Sequence, residues 1–198
     1  MNVVRQVRQA QAVEEPVLLR ITAAQFSVMV EAGAFAGARG VELRGGLLYE
    51  MNAQYVPHML AKSRLFLALA TALQAIGSPL EVSSEGSVQL GESEVPMPDL
   101  IVWEPVRVRG PVPRERVRLL VEVSDTTLTD DLGHKRTLYA AAGVPEYWVV
   151  DVFGRAIHQY WAPEDGVYAR SAVVPFGEAV RSATLEGLVV PTAALDRG

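Results

Sequence analysis

Hydrophobic and polar positions change period along this chain, and each change predicts an element. Thr22 stands as an N-cap before a short apolar-faced helix over Ala23–Ala32, which Gly33 ends. Val41–Leu43 and Leu47–Met51 flank Arg44-Gly45-Gly46 and predict a β-hairpin, because glycine supplies the positive φ of a tight turn. After Pro57, the run from His58 to Ile76 carries leucines at 60, 65, 67, 69 and 73 and predicts a long buried helix, closed by Gly77-Ser78-Pro79. The period then falls to two. Val82 and Ser87–Leu90 predict short strands, and Met97–Trp103 and Val117–Val123 predict apolar strands on either side of an Arg- and Pro-rich turn. Helical spacing returns over Thr129–Ala142, with Thr129 or Asp130 as cap and Gly143 and Pro145 as the stop. Tyr147–Asp151, Ala156–Trp161 and Val167–Val174 complete the set as strands, the last two as a meander. The order predicts an α/β (α+β) fold in which a central mixed β-sheet is flanked by helices. A polar, loose leader over 1–16 and one domain over 17–198 are expected.

Composition narrows the function classes. The chain has 198 residues, 49% of them hydrophobic, and a formal net charge of −5. Cysteine is absent, which excludes disulfides, thiolate nucleophiles and cysteine-ligated metal centres and fits a reducing compartment. The first residues carry charges where a signal peptide needs an apolar run, and Leu65–Gly77 is too short to span a bilayer. A soluble cytoplasmic protein with no membrane and no organic cofactor is the expectation. Of the 18 basic residues only Lys62 and Lys135 are lysine, and the rest are arginine. A lysine kept against such a bias suits a place that needs a compact, single-point ammonium; survival by chance is the plain alternative.

Two ionisable residues interrupt apolar strands. Asp99 lies in Met97–Trp103 and Glu122 in Leu119–Val123, where an acid loses hydration unless it is paired or ligates a metal. An antiparallel hairpin with its tip between Gly110 and Pro111 sets position i opposite position 221 − i, so Asp99 faces Glu122. Like charges directly opposite destabilise a sheet, and a divalent cation between them would turn the repulsion into a site. Mg²⁺ suits two carboxylates, several waters and a substrate phosphate, whereas the scattered histidines disfavour zinc. The alternative has Asp99 capping a strand end and Glu122 paired with an arginine such as Arg118. On the following helix Asp131, Lys135 and Tyr139 recur every fourth residue and share a face. Lys135 could offset charge on a metal-bound phosphate, or form only a surface pair with Asp131.

Pro98-Asp99, then Val121-Glu122-Val123, then a helical Lys135 resembles the PD-(D/E)XK nuclease pattern, with Ser124 at the usual lysine position and the lysine moved to the next helix. The longer run from Leu120 through His134-Lys135-Arg136 and Tyr139 to Gly143-Val144-Pro145-Glu146-Tyr147-Trp148 is similar to the Uma-type family of bacterial restriction endonucleases. Val41-Glu42-Leu43 and His58 also match that family, and the likeness covers roughly Ile21 to Trp161. The resemblance implies a restriction-endonuclease-like core, a Mg²⁺ (or Mn²⁺) site and hydrolysis of DNA phosphodiesters. It implies Asp99, Glu122 and Val123 as metal ligands, Lys135 as the catalytic lysine and Glu42 as a further acid at the site. His58 and Tyr139 are possible accessory residues, each with a packing role as the alternative. A non-catalytic DNA-binding or protein-interaction module on the same fold is the competing reading.

Arg107, Arg109, Arg114, Arg116 and Arg118 form the one basic concentration, and hairpin geometry sets most of it away from Asp99 and Glu122. A double-strand cut most simply needs two sites related by a two-fold axis, so a homodimer is expected, through the strands after Ala156 or the arginine-rich turn.

Overall fold

A computed structural model describes residues 17–196. The leader expected over 1–16 lies outside them. Thr22 caps α1 (Ala23–Glu31) reciprocally: its hydroxyl accepts from Gln25 N–H, and Gln25 Oε1 accepts from Thr22 N–H. β1 (Val41–Arg44) and β2 (Leu47–Glu50) make the expected hairpin, with Gly45 and Gly46 at positive φ. α2 (Val56–Ala75) follows, with Pro57 in its first turn. Only one face of α2 is buried, through Ala61, Leu65, Leu69 and Leu73, while Met59, Leu60 and Leu67 are exposed. The long apolar run thus covers one side of a sheet instead of crossing a core.

The strands are β3 (Glu81–Ser84), β4 (Val88–Gln89), β5 (Leu100–Trp103), β6 (Val112–Pro113), β7 (Val117–Ser124), β8 (Glu146–Asp151), β9 (Ala156–Glu164), β10 (Val167–Pro175), β11 (Ala179–Arg181) and β12 (Val189–Pro191). Six of them form a mixed sheet of order β10-β9-β8-β7-β5-β3, parallel only between β7 and β8. The fold is therefore the expected mixed sheet flanked by helices. Because strand side chains alternate, Leu100, Val102, Leu119 and Val121 pack under α2, and Ile101, Leu120, Tyr147 and Val149 pack under the helix on the other face.

That second helix is less regular than its spacing predicts. α3 (Leu128–Asp130), a π turn over Asp131–Lys135 and α4 (Arg136–Ala141) run on from one another. Thr127, not Thr129 or Asp130, precedes the first turn, and its hydroxyl donates to Asp131 Oδ2 at 2.6 Å. Tyr147 from β8 donates to the Asp131 carbonyl at 3.0 Å, a tertiary bond that local periodicity cannot report.

The link between β5 and β7 also departs from a simple hairpin. Residues 104–116 form no two-residue tip; they include β6, which pairs with β4, and a 3₁₀ turn at Arg114–Arg116. The register nevertheless is 221 − i for Leu100, Ile101 and Val102, with a shift only at Trp103.

Candidate active site

Asp99 ends up just before β5, at the end of the sheet where β7 finishes. Its Oδ2 accepts from Val123 N–H at 2.8 Å and lies 3.1 Å from His58 Nε2 on α2. Asp99 therefore bonds to the backbone beside Glu122 instead of presenting a bare carboxylate to it, because it lies one residue outside the ladder. Its Oδ1 has only longer neighbours, Gln54 Nε2 at 3.4 Å and Lys62 Nζ at 3.7 Å.

Glu122 takes its partners from the opposite face. Tyr139 donates to Oε1 at 2.6 Å, and Lys135 Nζ lies 3.0 Å from Oε2. The same ammonium lies 3.1 Å from Asp131 Oδ1, while Asp131 Oδ2 accepts from Ser124 and Thr127. Glu122, Asp131 and Lys135 are 2%, 1% and 5% exposed, so the Asp131–Lys135 pair is no solvated surface bridge. Arg118 pairs with Glu104 at 3.1 Å and takes no part. Burial, with Asp131, Asp99 and Glu42 nearby, pushes the Glu122 carboxyl up to about 8 although Lys135 opposes this. Burial alone would lower the Lys135 ammonium, but Glu122, Asp131 and Glu42 outweigh it and raise it. Burial and then Glu122 hold the Tyr139 hydroxyl protonated, and so a donor.

Asp99, Glu122, Val123, Lys135, His58 and Arg44 line a common cleft of about 210 Å³. Glu42 stands behind that wall. Fully buried, it accepts from Arg44 Nε at 2.6 Å and from Met97 N–H at 2.7 Å, and Arg44 reaches on to Asp130 at 3.2 Å. The carboxylate singled out by sequence thus positions an arginine that sequence did not single out. Gln54 and Glu85 were likewise missed, since both lie in loops without periodic signal; Lys62 had been marked only by the scarcity of lysine. Arg107 and Arg109 are exposed and do not line this cleft, and Arg114 and Arg116 pair with Glu115 and Glu104.

Among the described residues, no three His, Cys, Asp or Glu side chains stand together in a way that would hold a metal ion. A pair fits a hard cation that completes its shell with water and phosphate. Asp99 Oδ1, left with neighbours at 3.4 and 3.7 Å, is an under-used oxygen on the cleft wall, whereas Glu122, whose oxygens are taken by Tyr139 and Lys135, would serve as a second donor only on giving up its proton to the cation.

Compared with known proteins, residues 35–193 match the family described as Uma2, "Putative restriction endonuclease". The structure is similar to the crystal structure of "a putative nuclease belonging to DUF820" from Anabaena variabilis ATCC 29413. The TM-score is 0.60 at 14% identity, covering 79% of this chain and 89% of that one, a likeness of fold. No curated protein matches the chain.

Proposed function

The chain belongs to the Uma2 family, and from that premise we propose that it is a DNA endonuclease dependent on Mg²⁺ or Mn²⁺, hydrolysing phosphodiester bonds in the cleft between Asp99 and Glu122. Lys135 carries the reading. Its ammonium, 5% exposed and 3.0 Å from one of two carboxylates in the same cleft, supports the reading, because a phosphate bound there would need a cation for its developing charge. When bound, the cation supplies Lewis acidity towards the phosphodiester and charge compensation for its leaving oxygen. Asp99 and Glu122 would hold it, with Val123 beside them. His58 and the Val123 N–H fix Asp99 through Oδ2 and leave Oδ1 for the cleft. Tyr139 fixes Glu122 by its hydroxyl. Glu42 acts at one remove, by holding Arg44 on the cleft wall.

The test is nicking of plasmid DNA with Mg²⁺ or Mn²⁺ and with EDTA, comparing wild type, Asp99→Ala and Glu122→Ala. Loss of nicking in EDTA and in both variants is expected; equal nicking by Glu122→Ala would remove the assigned site. A second reading, a non-catalytic DNA-binding or protein-interaction module, is favoured by the lack of a three-residue metal cluster among the described residues. It gains if the pure protein cuts no DNA under any of these conditions.

A further inference from the structure

The two lysines of this chain meet the two carboxylates, Lys135 at Glu122 and Lys62 at Asp99. Lys62 lies one turn beyond His58 on α2, and its side chain is 11% exposed. Two acceptors hold the ammonium: Glu85 Oε1 at 2.6 Å and Gln54 Oε1. Asp99 Oδ1 is 3.7 Å away, too far for a hydrogen bond, so the third N–H is left for another acceptor. Glu85 is a non-glycine residue held at φ 55, and its N–H donates to the Asp99 carbonyl at 3.2 Å. A backbone held in that region marks a position that the surrounding structure enforces, and here it aims a carboxylate at Lys62.

The cleft does not end at Asp99. A second cavity, of about 360 Å³, shares Asp99 and the Met51–Gln54 strap with it and has the exposed Arg39 in its lining. Lys62 touches Gln54 and Asp99, which line both cavities, so its ammonium lies directly behind the wall the two cavities share.

We propose that Lys62 is a substrate-binding residue that contacts a backbone phosphate of the bound DNA strand beside Asp99, with Gln54 and Glu85 as the residues that position it. The inference rests on the nuclease reading above. The ammonium serves as a point donor between two fixed acceptors.

The experiment measures affinity for a short DNA duplex by fluorescence anisotropy across a salt series, with Ca²⁺ in place of Mg²⁺ so that binding is read without cleavage. One lost phosphate contact makes the slope of log affinity against log salt shallower by about 0.9. K62A and K62Q are expected to show that change with an unaltered circular-dichroism spectrum, and K62R, which keeps the charge, to retain the wild-type slope. Wild-type slopes in both K62A and K62Q would overturn the role of Lys62 while leaving the nuclease reading intact. If the wild-type protein binds no DNA with a salt-dependent affinity, the nuclease reading falls and this inference with it.

Discussion

Glu122 and Lys135 differ in what a change of charge does to them, and two predictions separate their roles. If Lys135 acts on charge that develops only in the transition state, Lys135→Ala should lower cleavage by roughly 10²–10³-fold while sparing DNA affinity. Lys135→Arg should fail almost as badly, because the planar guanidinium presents its donors in another geometry between Glu122 and Asp131. Single-turnover rates for both variants decide it; full activity in Lys135→Arg would remove Lys135 from the chemistry. For Glu122 the readout is stability. Its carboxyl is pushed up to about 8 from an ordinary 4.5 by burial, so between those values the folded chain holds a proton that the unfolded chain has released. That contribution to stability is fully present below 4.5 and is lost as pH rises through about 8. In EDTA, wild type should therefore lose urea stability relative to Glu122→Gln between about pH 5 and about pH 8. Parallel curves for the two proteins would show that Glu122 stays ionised when buried.

At the scale of elements, β8 does more than supply a core strand. Its first residue, Glu146, is fully buried and accepts from Trp148 Nε1 at 2.6 Å, Ser182 Oγ at 2.6 Å, Thr184 Oγ1 at 2.7 Å and Thr184 N–H at 3.0 Å. One carboxylate thus pins the segment after β11 to the end of the central sheet. Glu146→Ala would leave several buried donors unpaired and should cost about 2–4 kcal/mol, read from the urea midpoint, with the cleavage chemistry preserved in the folded fraction. A loss under about 0.5 kcal/mol would mean that water replaces the carboxylate. Nothing in the sequence marked Glu146 as buried, since a glutamate after Pro145 reads as a polar strand end; its donors arrive from Ser182 to Thr184, far along the chain. By contrast Asp99 and Glu122 were legible because each breaks an apolar run, and Lys135 because lysine is scarce and it shares a helix face with Asp131 and Tyr139. Asp131, Lys135 and Tyr139 share their face as expected, despite the π turn between them. The partners Gln54, Glu85 and Arg44 were not legible, since loops and turns tolerate polar residues everywhere and only the tertiary approach gives these three a role.

At the scale of the whole molecule, a double-strand cut calls for two clefts, and we expect a homodimer. β10 is the edge of the central sheet and exposes Val167 and Val173, which makes it the strand best suited to such a contact. Light scattering at micromolar concentration should give twice the 21.5 kDa chain mass, and a monomer would count against the assembly. No helix among the described residues is long and apolar enough to cross a membrane. Both carboxylates depend on the alignment of β5 with β7, and the way that alignment is held has a consequence for how the protein can diverge. Residues 104–116 do not set it, because they wander through β6 and a 3₁₀ turn before β7 begins. It is set by sorting: Leu100, Val102, Leu119 and Val121 belong under α2, and Ile101 and Leu120 belong under the other helix. Gly110, in the middle of that connection, has open space around it. Insertions beside Gly110 should therefore leave the carboxylates where they are, whereas replacing Gly110 itself, at φ 124, would strain the turn. A single residue gained or lost inside β7 would instead turn Glu122 towards α2 and away from Lys135.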